Sequence, residues 1–174
     1  MPEGITQKTE ITSQRTRCAK TFDLGDGRRA VEVSIGATHY RQDGQWQEID
    51  TAIQPDGTVE RAPYSLNIDF ARKSLRCRIK EDGSEFAIGL NRIGDGVQLG
   101  NVEPVIEGNR VIWPDICPDT DLVIEAGRSR VRLRRVLKSD KAPTRCQFNI
   151  SLPAESAYAL WLRAADANGE AIGV

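Results

Sequence analysis

The chain has 174 residues, 39% hydrophobic and 28% charged, a length and composition that allow one domain with a sizeable core and exclude disordered, collagen-like and disulfide-scaffold classes. A formal net charge of -1 supplies no global field drawing it to nucleic acid or an anionic membrane. No run approaches membrane-spanning length, and Met1 to Glu10 lacks the basic start and apolar run of a signal peptide. The expectation is a protein made in the cytoplasm, with no membrane insertion and no nucleic-acid partner.

In chain order, residues 1–14 are polar and aperiodic and are expected to form a flexible N-terminal arm. The remainder, 15–174, is read as a single domain. Strands begin near Arg15. Val31, Val33 and Ile35 alternate with Ala30, Glu32 and Ser34, and Leu66, Ile68 and Phe70 alternate with Asn67 and Asp69, each run predicting one dry and one wet face. Between such runs stand Asp26-Gly27, Asp43-Gly44, Asp56-Gly57, Asp82-Gly83 and Asp95-Gly96. Tight hairpin turns need φ > 0 at their centre, which Gly gives freely and Asp tolerates.

A two-residue loop fixes cross-strand register, so these turns predict partners. Asp43-Gly44 sets His39 opposite Glu48 and Arg41 opposite Trp46, on a face expected to meet solvent or a partner. Asp82-Gly83 sets Ile79 opposite Phe86, Cys77 opposite Ile88 and Leu75 opposite Leu90, all on one dry face. If Arg128-Ser129 is a loop, Ile124 faces Leu133, Ala126 faces Val131 and Glu125 faces Arg132. Leu122 then falls opposite Arg135, a mismatch the pattern leaves unexplained. Cys146, Phe148, Ile150 and Leu152 alternate in a further strand. Between Ala154 and Ala167, the alanine content argues for helix. Asn168-Gly169, followed by Ala171, Ile172 and Val174, argues for a hairpin whose first arm is Tyr158 to Ala165, and strand is the reading adopted.

The candidate chemistry is thin. His39 is the sole histidine, and its pairing with Glu48 is the minimum for general-base work, but no nucleophile in a recognisable turn accompanies it. No catalytic residue is assigned. The Asp-rich turns lack a calcium-loop pattern, and Cys18, Cys77, Cys117 and Cys146 are too dispersed for zinc. No metal or cofactor is expected, and reduced, buried thiols are preferred to disulfides. Arg130, Arg132 and Arg134 share one face of a strand at a pitch of about 7 Å. They form the strongest local cationic ladder, but without the interleaved aromatics of a single-strand nucleic-acid reader. Arg41, Trp46, Arg130, Arg132 and Arg134 are the candidate binding residues, with Trp46 posing the question of a stacked sugar ring.

Two segments carry a family resemblance. Gly36 to Thr51 contains His39-Tyr40, Gly44, Trp46 and Glu48-Ile49-Asp50. This resembles the "HY-x-x-x-G-x-W-x-EID" segment of β-rich regions that precede the repeats of YD-repeat (Rhs-type) proteins. Trp113 to Glu125, with Pro118-Asp119-Thr120-Asp121-Leu122, runs on into Val136-Leu137-Lys138 and is similar to the "PD-x-x-P-x-x-DL-x-x-E … VLK" segment of the same regions. Related stretches occur in bacterial surface proteins and phage tail-associated proteins. The resemblance covers roughly residues 15–165 and implies a β-sandwich-like structural or adhesive module, with no catalytic residues to carry over.

The fold expected is all-β, an antiparallel, jelly-roll-like β-sandwich built from hairpins. The function expected is that of a non-enzymatic phage virion structural protein, tail- or head-associated and assembled in the host cytoplasm. It would act through homo-oligomerisation and contacts with other virion proteins, an exposed sheet edge being suited to assembly. The alternative is a module binding cell-surface glycan and attaching a larger assembly to an envelope, with Trp46 as platform.

Overall fold

Turn chemistry divides this chain into short strands. The computed structural model describes residues 8–93 and 97–152, and every strand pair in it is antiparallel. The strands are β1 (Thr9–Glu10), β2 (Ala19–Asp23), β3 (Arg29–Val33), β4 (His39–Gln42), β5 (Gln45–Glu48), β6 (Thr58–Val59) and β7 (Tyr64–Asp69). They continue with β8 (Ser74–Ile79), β9 (Glu85–Ile93), β10 (Val105–Glu107), β11 (Arg110–Cys117), β12 (Thr120–Ala126), β13 (Val131–Leu137) and β14 (Cys146–Ser151). A short 3-10 turn, Thr12–Gln14, follows β1.

Four sheets result: β1-β2-β3, the β4-β5 hairpin, a five-stranded sheet β14-β9-β8-β7-β6, and a four-stranded sheet β10-β11-β12-β13. The two larger sheets supply most of the core, with Leu66, Ile68, Leu75 and Cys77 from one and Val111, Trp113, Leu122 and Ile124 from the other in a single apolar cluster. Phe70 meets Trp113 edge-on, ring centroids 6.3 Å apart at 62°, and the Tyr64 hydroxyl donates to the Gly127 carbonyl. The molecule is an all-β, antiparallel, sandwich-like structure.

Registers test the turn reading. Around Arg128-Ser129 every expected partner is present, Ile124 with Leu133, Glu125 with Arg132 and Ala126 with Val131. Leu122 does stand opposite Arg135. The mismatch resolves because the Arg135 guanidinium donates to the carbonyls of Pro143 (2.8 Å) and Thr144 (2.7 Å). These lie on the segment leading to β14, so the charge is satisfied by backbone at the sheet's margin. Asp43-Gly44 is a two-residue turn with φ of 51° and 77°, and it pairs His39 with Glu48.

Other expectations are corrected. Cys77 pairs with Phe86 and Leu75 with Ile88, a slip of two from the register expected for Asp82-Gly83. The loop closes one step earlier, with Ile79 donating to Ser84 O and Gly83 to Ile79 O. A slip of two keeps every side chain on its face, so Cys77 is still buried. Val31, Val33 and Ile35, read as a dry face, are instead exposed. Their sheet has one face turned to the β4-β5 hairpin through the Lys20–Glu48 ion pair, and the valines lie on the other. Thr9 and Glu10, assigned to the arm, pair with Asp23 and Phe22 of β2. All four cysteines are free. Asp95-Gly96, Ala154 to Ala167 and Asn168-Gly169 lie outside the described residues.

Candidate functional site

The β4-β5 hairpin has two faces set by strand parity. His39, Arg41, Trp46 and Glu48 share one, and Tyr40, Gln42, Gln45 and Gln47 share the other. On the first, the Arg41 guanidinium carbon stands 5.4 Å from the Trp46 ring centroid, within cation-π range. The Trp46 ring is half-buried and its carbonyl accepts from Arg15 at 3.4 Å.

His39 is 1% exposed, which corrects the expectation that it meets solvent. The backbone of Arg17 runs alongside, its carbonyl accepting from the N–H groups of Thr38 (2.9 Å) and His39 (3.1 Å). His39 Nδ1 lies 3.0 Å from the Thr38 hydroxyl, and Nε2 is buried with no hydrogen-bond partner. Glu48 bonds Lys20 at 2.7 Å. That hydrogen bond, against the opposing effect of burial, holds the Glu48 carboxyl below the usual carboxylate range. The His39–Glu48 register is real, but the carboxylate's partner is the lysine.

On the other face, a cleft of about 590 Å3 opens between the hairpin and the five-stranded sheet. Gln42, Gln45 and Gln47 line one wall, Glu60, Arg61 and Lys80 the other. Tyr40 is buried at its base, donating to Gln42 Oε1 at 2.8 Å, with Lys80 Nζ 4.9 Å above its ring. Each amide both donates and accepts, and the charges around them are of both signs, Asp43 and Glu60 against Arg61 and Lys80. Sequence reading passed over it, although the alternation Tyr40, Gln42 and Gln45, Gln47 already put these residues on one face.

Three arginines of the four-stranded sheet converge on one carboxylate, Glu125. Arg134 bonds Glu125 at 2.7 Å, Arg110 approaches the same carboxylate at 3.2 Å and Arg132 at 3.5 Å. Glu107, Arg110, Glu125 and Arg132 form one cross-strand row of alternating sign. Such pairs contribute about 0.2–1 kcal/mol each and favour register. Arg130 is not in the row: its carbonyl accepts from Gly127 at 2.7 Å in the turn. The acidic turn after Trp113 is also occupied from within. Asp121 accepts from the Asp115 amide at 2.7 Å and from Lys138 at 2.8 Å, and Lys138 also reaches Asp115. Among the described residues, no group of three or more His, Cys, Asp or Glu side chains is placed to hold a metal ion.

Comparison with known proteins adds what geometry does not. No family model matches the chain, and no solved structure matches it. It is 25% identical over 134 residues to the tRNA nuclease WapA of Bacillus subtilis strain 168, a stretch covering 70% of this chain and 6% of that protein. The tRNA(Glu)-specific nuclease WapA of Bacillus subtilis subsp. natto matches to the same extent, 25% over 134 residues. The tRNA3(Ser)-specific nuclease WapA of Bacillus spizizenii is 24% identical over 133 residues, 69% of this chain and 6% of that one. The chain thus spans a small fraction of the length of the relatives it matches.

These names correct the functional expectation. The expectation of a phage virion structural protein with a non-enzymatic role rested on a family likeness carried largely by turn formers and core apolar residues. Those residues report architecture, which does not carry function with it. The relatives are named as nucleases.

Proposed function

We propose that this chain works as part of a nuclease directed at tRNA, its β-sandwich serving as one folded module of that machinery. The observation that carries this is the 134-residue match to proteins named tRNA nucleases, which takes in 70% of the chain. The likeness to β-rich regions preceding YD repeats and the match to the WapA proteins describe, on this reading, one kind of module. The sandwich supplies a frame whose four-stranded sheet is held in register by ion-pair clusters centred on Glu125 and Lys138.

The test is affinity purification of the chain from the cells that make it, followed by incubation of the bound fraction with total tRNA. Discrete tRNA fragments on a denaturing gel are expected. Intact tRNA, from a fraction shown to contain the chain in full amount, overturns the proposal.

A further inference from the structure

The pleat of the N-terminal sheet decides which backbone groups of β3 are free. Ser34 donates its N–H to the Cys18 carbonyl at 2.8 Å, and the Arg28 carbonyl accepts from Leu24 at 3.1 Å. Even-numbered residues of this strand therefore turn their backbone polar groups to β2, and Arg29, Val31 and Val33 turn theirs the other way. Consistently, Thr21, which stands opposite Val31, uses its carbonyl to accept from Ile11 on the far side of β2. No described strand pairs with the outer edge of β3.

The same residues expose apolar side chains. Val31 is 60% and Val33 76% exposed, and Ile35 beyond them is fully exposed. Edge strands are ordinarily blunted by Pro, charged side chains, a bulge or a cover. Arg29–Val33 has no Pro and pairs with β2 without a register shift, and of its two charges Glu32 is held by Lys8 on the other face, leaving Arg29 at the strand's start.

We propose that β3 is the pairing edge for a second copy of this chain, the two strands joining antiparallel about a two-fold axis at Val31. Arg29, Val31 and Val33 are centred on Val31. In this register Val31 of one copy meets Val31 of the other, and Arg29 meets Val33 twice, leaving no outward N–H or C=O of the three unpaired. A two-fold axis normal to the sheet keeps like faces together, so the two Val31 side chains meet at the centre of one strip, with each Val33 packed by the aliphatic stem of the other copy's Arg29. Charge permits it: Glu32 falls opposite Ala30, and within its own sheet Glu32 is paired with Lys8. An unrelated strand would have to supply its own matching alternation, whereas the symmetric partner draws both halves from one sequence. The product is a continuous six-stranded sheet across two molecules.

Sedimentation velocity and amide hydrogen exchange over a range of protein concentration test this together. A dimer should form as concentration rises, with exchange slowing at Arg29, Val31 and Val33 and unchanged at Ala30 and Glu32. Val31→Pro removes an N–H that β2 does not use, a change edge strands accept, and should raise the dimer Kd about tenfold or more. Should that variant unfold, Val33→Lys on the exposed face gives the same reading. In a Cys18→Ser background, Val31→Cys should form an intermolecular disulfide, the paired Cα atoms lying about 5.5 Å apart. Arg29→Cys should not, since its two copies stand roughly 13 Å apart along the strands. A monomer at all concentrations, a dimer whose odd-numbered amides exchange unchanged, or cross-linking at position 29 in preference to 31 overturns the proposal.

Discussion

The sandwich and the N-terminal sheet are built from the same hairpin grammar and are stabilised by different forces. In the sandwich, alternating apolar residues turn inward from two sheets, and Trp113, Leu122, Ile124, Leu66 and Cys77 are buried on the shared interior. In the N-terminal sheet, the alternation of β3 turns outward. The described ties to the rest of the molecule are largely polar: Arg15, itself held by Glu10, to the Trp46 carbonyl, Lys20 to Glu48, and the Arg17 carbonyl to two amides of the β4 segment. Alternation reports that a strand has two unlike faces. Which face is buried depends on whether another layer covers it, and only the larger sheets have such a layer.

The comparison is broken most forcefully from the sandwich side. Trp113→Ala removes a fully buried side chain in contact with Phe70 and should cost about 3–5 kcal/mol in urea unfolding. Val31→Ala in the exposed strand should fall within about 0.5 kcal/mol under conditions where the protein is monomeric.

Glycine substitutions sharpen the contrast at smaller scale. A Cβ on Gly57, where φ is +84°, would stand 2.6 Å from the Ile68 carbonyl oxygen. Gly57→Ala should therefore combine left-handed strain with a backbone clash and cost about 2–4 kcal/mol. Gly27, in the turn between β2 and β3, has φ of +80° but open space around a Cβ. Gly27→Ala should cost only the conformational strain, about 1–2 kcal/mol.

Acid should separate the two regions without mutation. The Arg15 hydrogen bond holds the Glu10 carboxyl below its ordinary range, as Lys20 does for Glu48. A depressed carboxylate contributes stability that is present above its unfolded pKa, about 4.3, and lost as pH falls through the folded value. Backbone amides of β1 to β3 should therefore lose protection, measured relative to intrinsic exchange at each pH, on acidification through that range, while those of β8, which carries no carboxyl, hold. Equal loss of protection in both sheets would remove the distinction.

Thiol chemistry gives the smallest and most local readout. Burial raises the Cys77 thiol to about 12, so it should resist alkylation by iodoacetamide until the sandwich unfolds. Cys18, half-buried beside β2, should be labelled first, as peptide mass mapping would show.

Local chemistry was legible in the sequence, and layering was not. Ala126 and Val131 flank a turn whose register follows from counting, and Arg41 over Trp46 follows from the two-residue turn at Asp43-Gly44. The slip at Asp82-Gly83 escaped because a loop closed at Ser84 and one closed at Glu81–Ser84 parity share the same faces, so burial cannot discriminate them. His39 looked exposed because only its own hairpin was visible, whereas its cover comes from the Arg17 segment of another. The convergence on Glu125 was half visible. Its pairing with Arg132 is a register statement, but Arg110 arrives from β11, whose alignment with β12 passes through a bulge between Trp113 and Cys117. The amide-lined cleft joins residues from two sheets, and no spacing in one dimension marks that meeting.

The crossing of Arg135 to the carbonyls of Pro143 and Thr144 has a kinetic side. The whole four-stranded sheet lies in the chain between β9 and β14, which pair with each other. Strands β10 to β13 are sequential hairpins and can form from local contacts, whereas the β9–β14 ladder must first close a long loop. A folded meander shortens that loop, and in the native structure a guanidinium at its last strand holds the outgoing backbone on its way to the edge of β9. Topology thus favours β14 joining last, and the side chain that spoils the apolar pattern of its own sheet contributes by holding the segment that leads there.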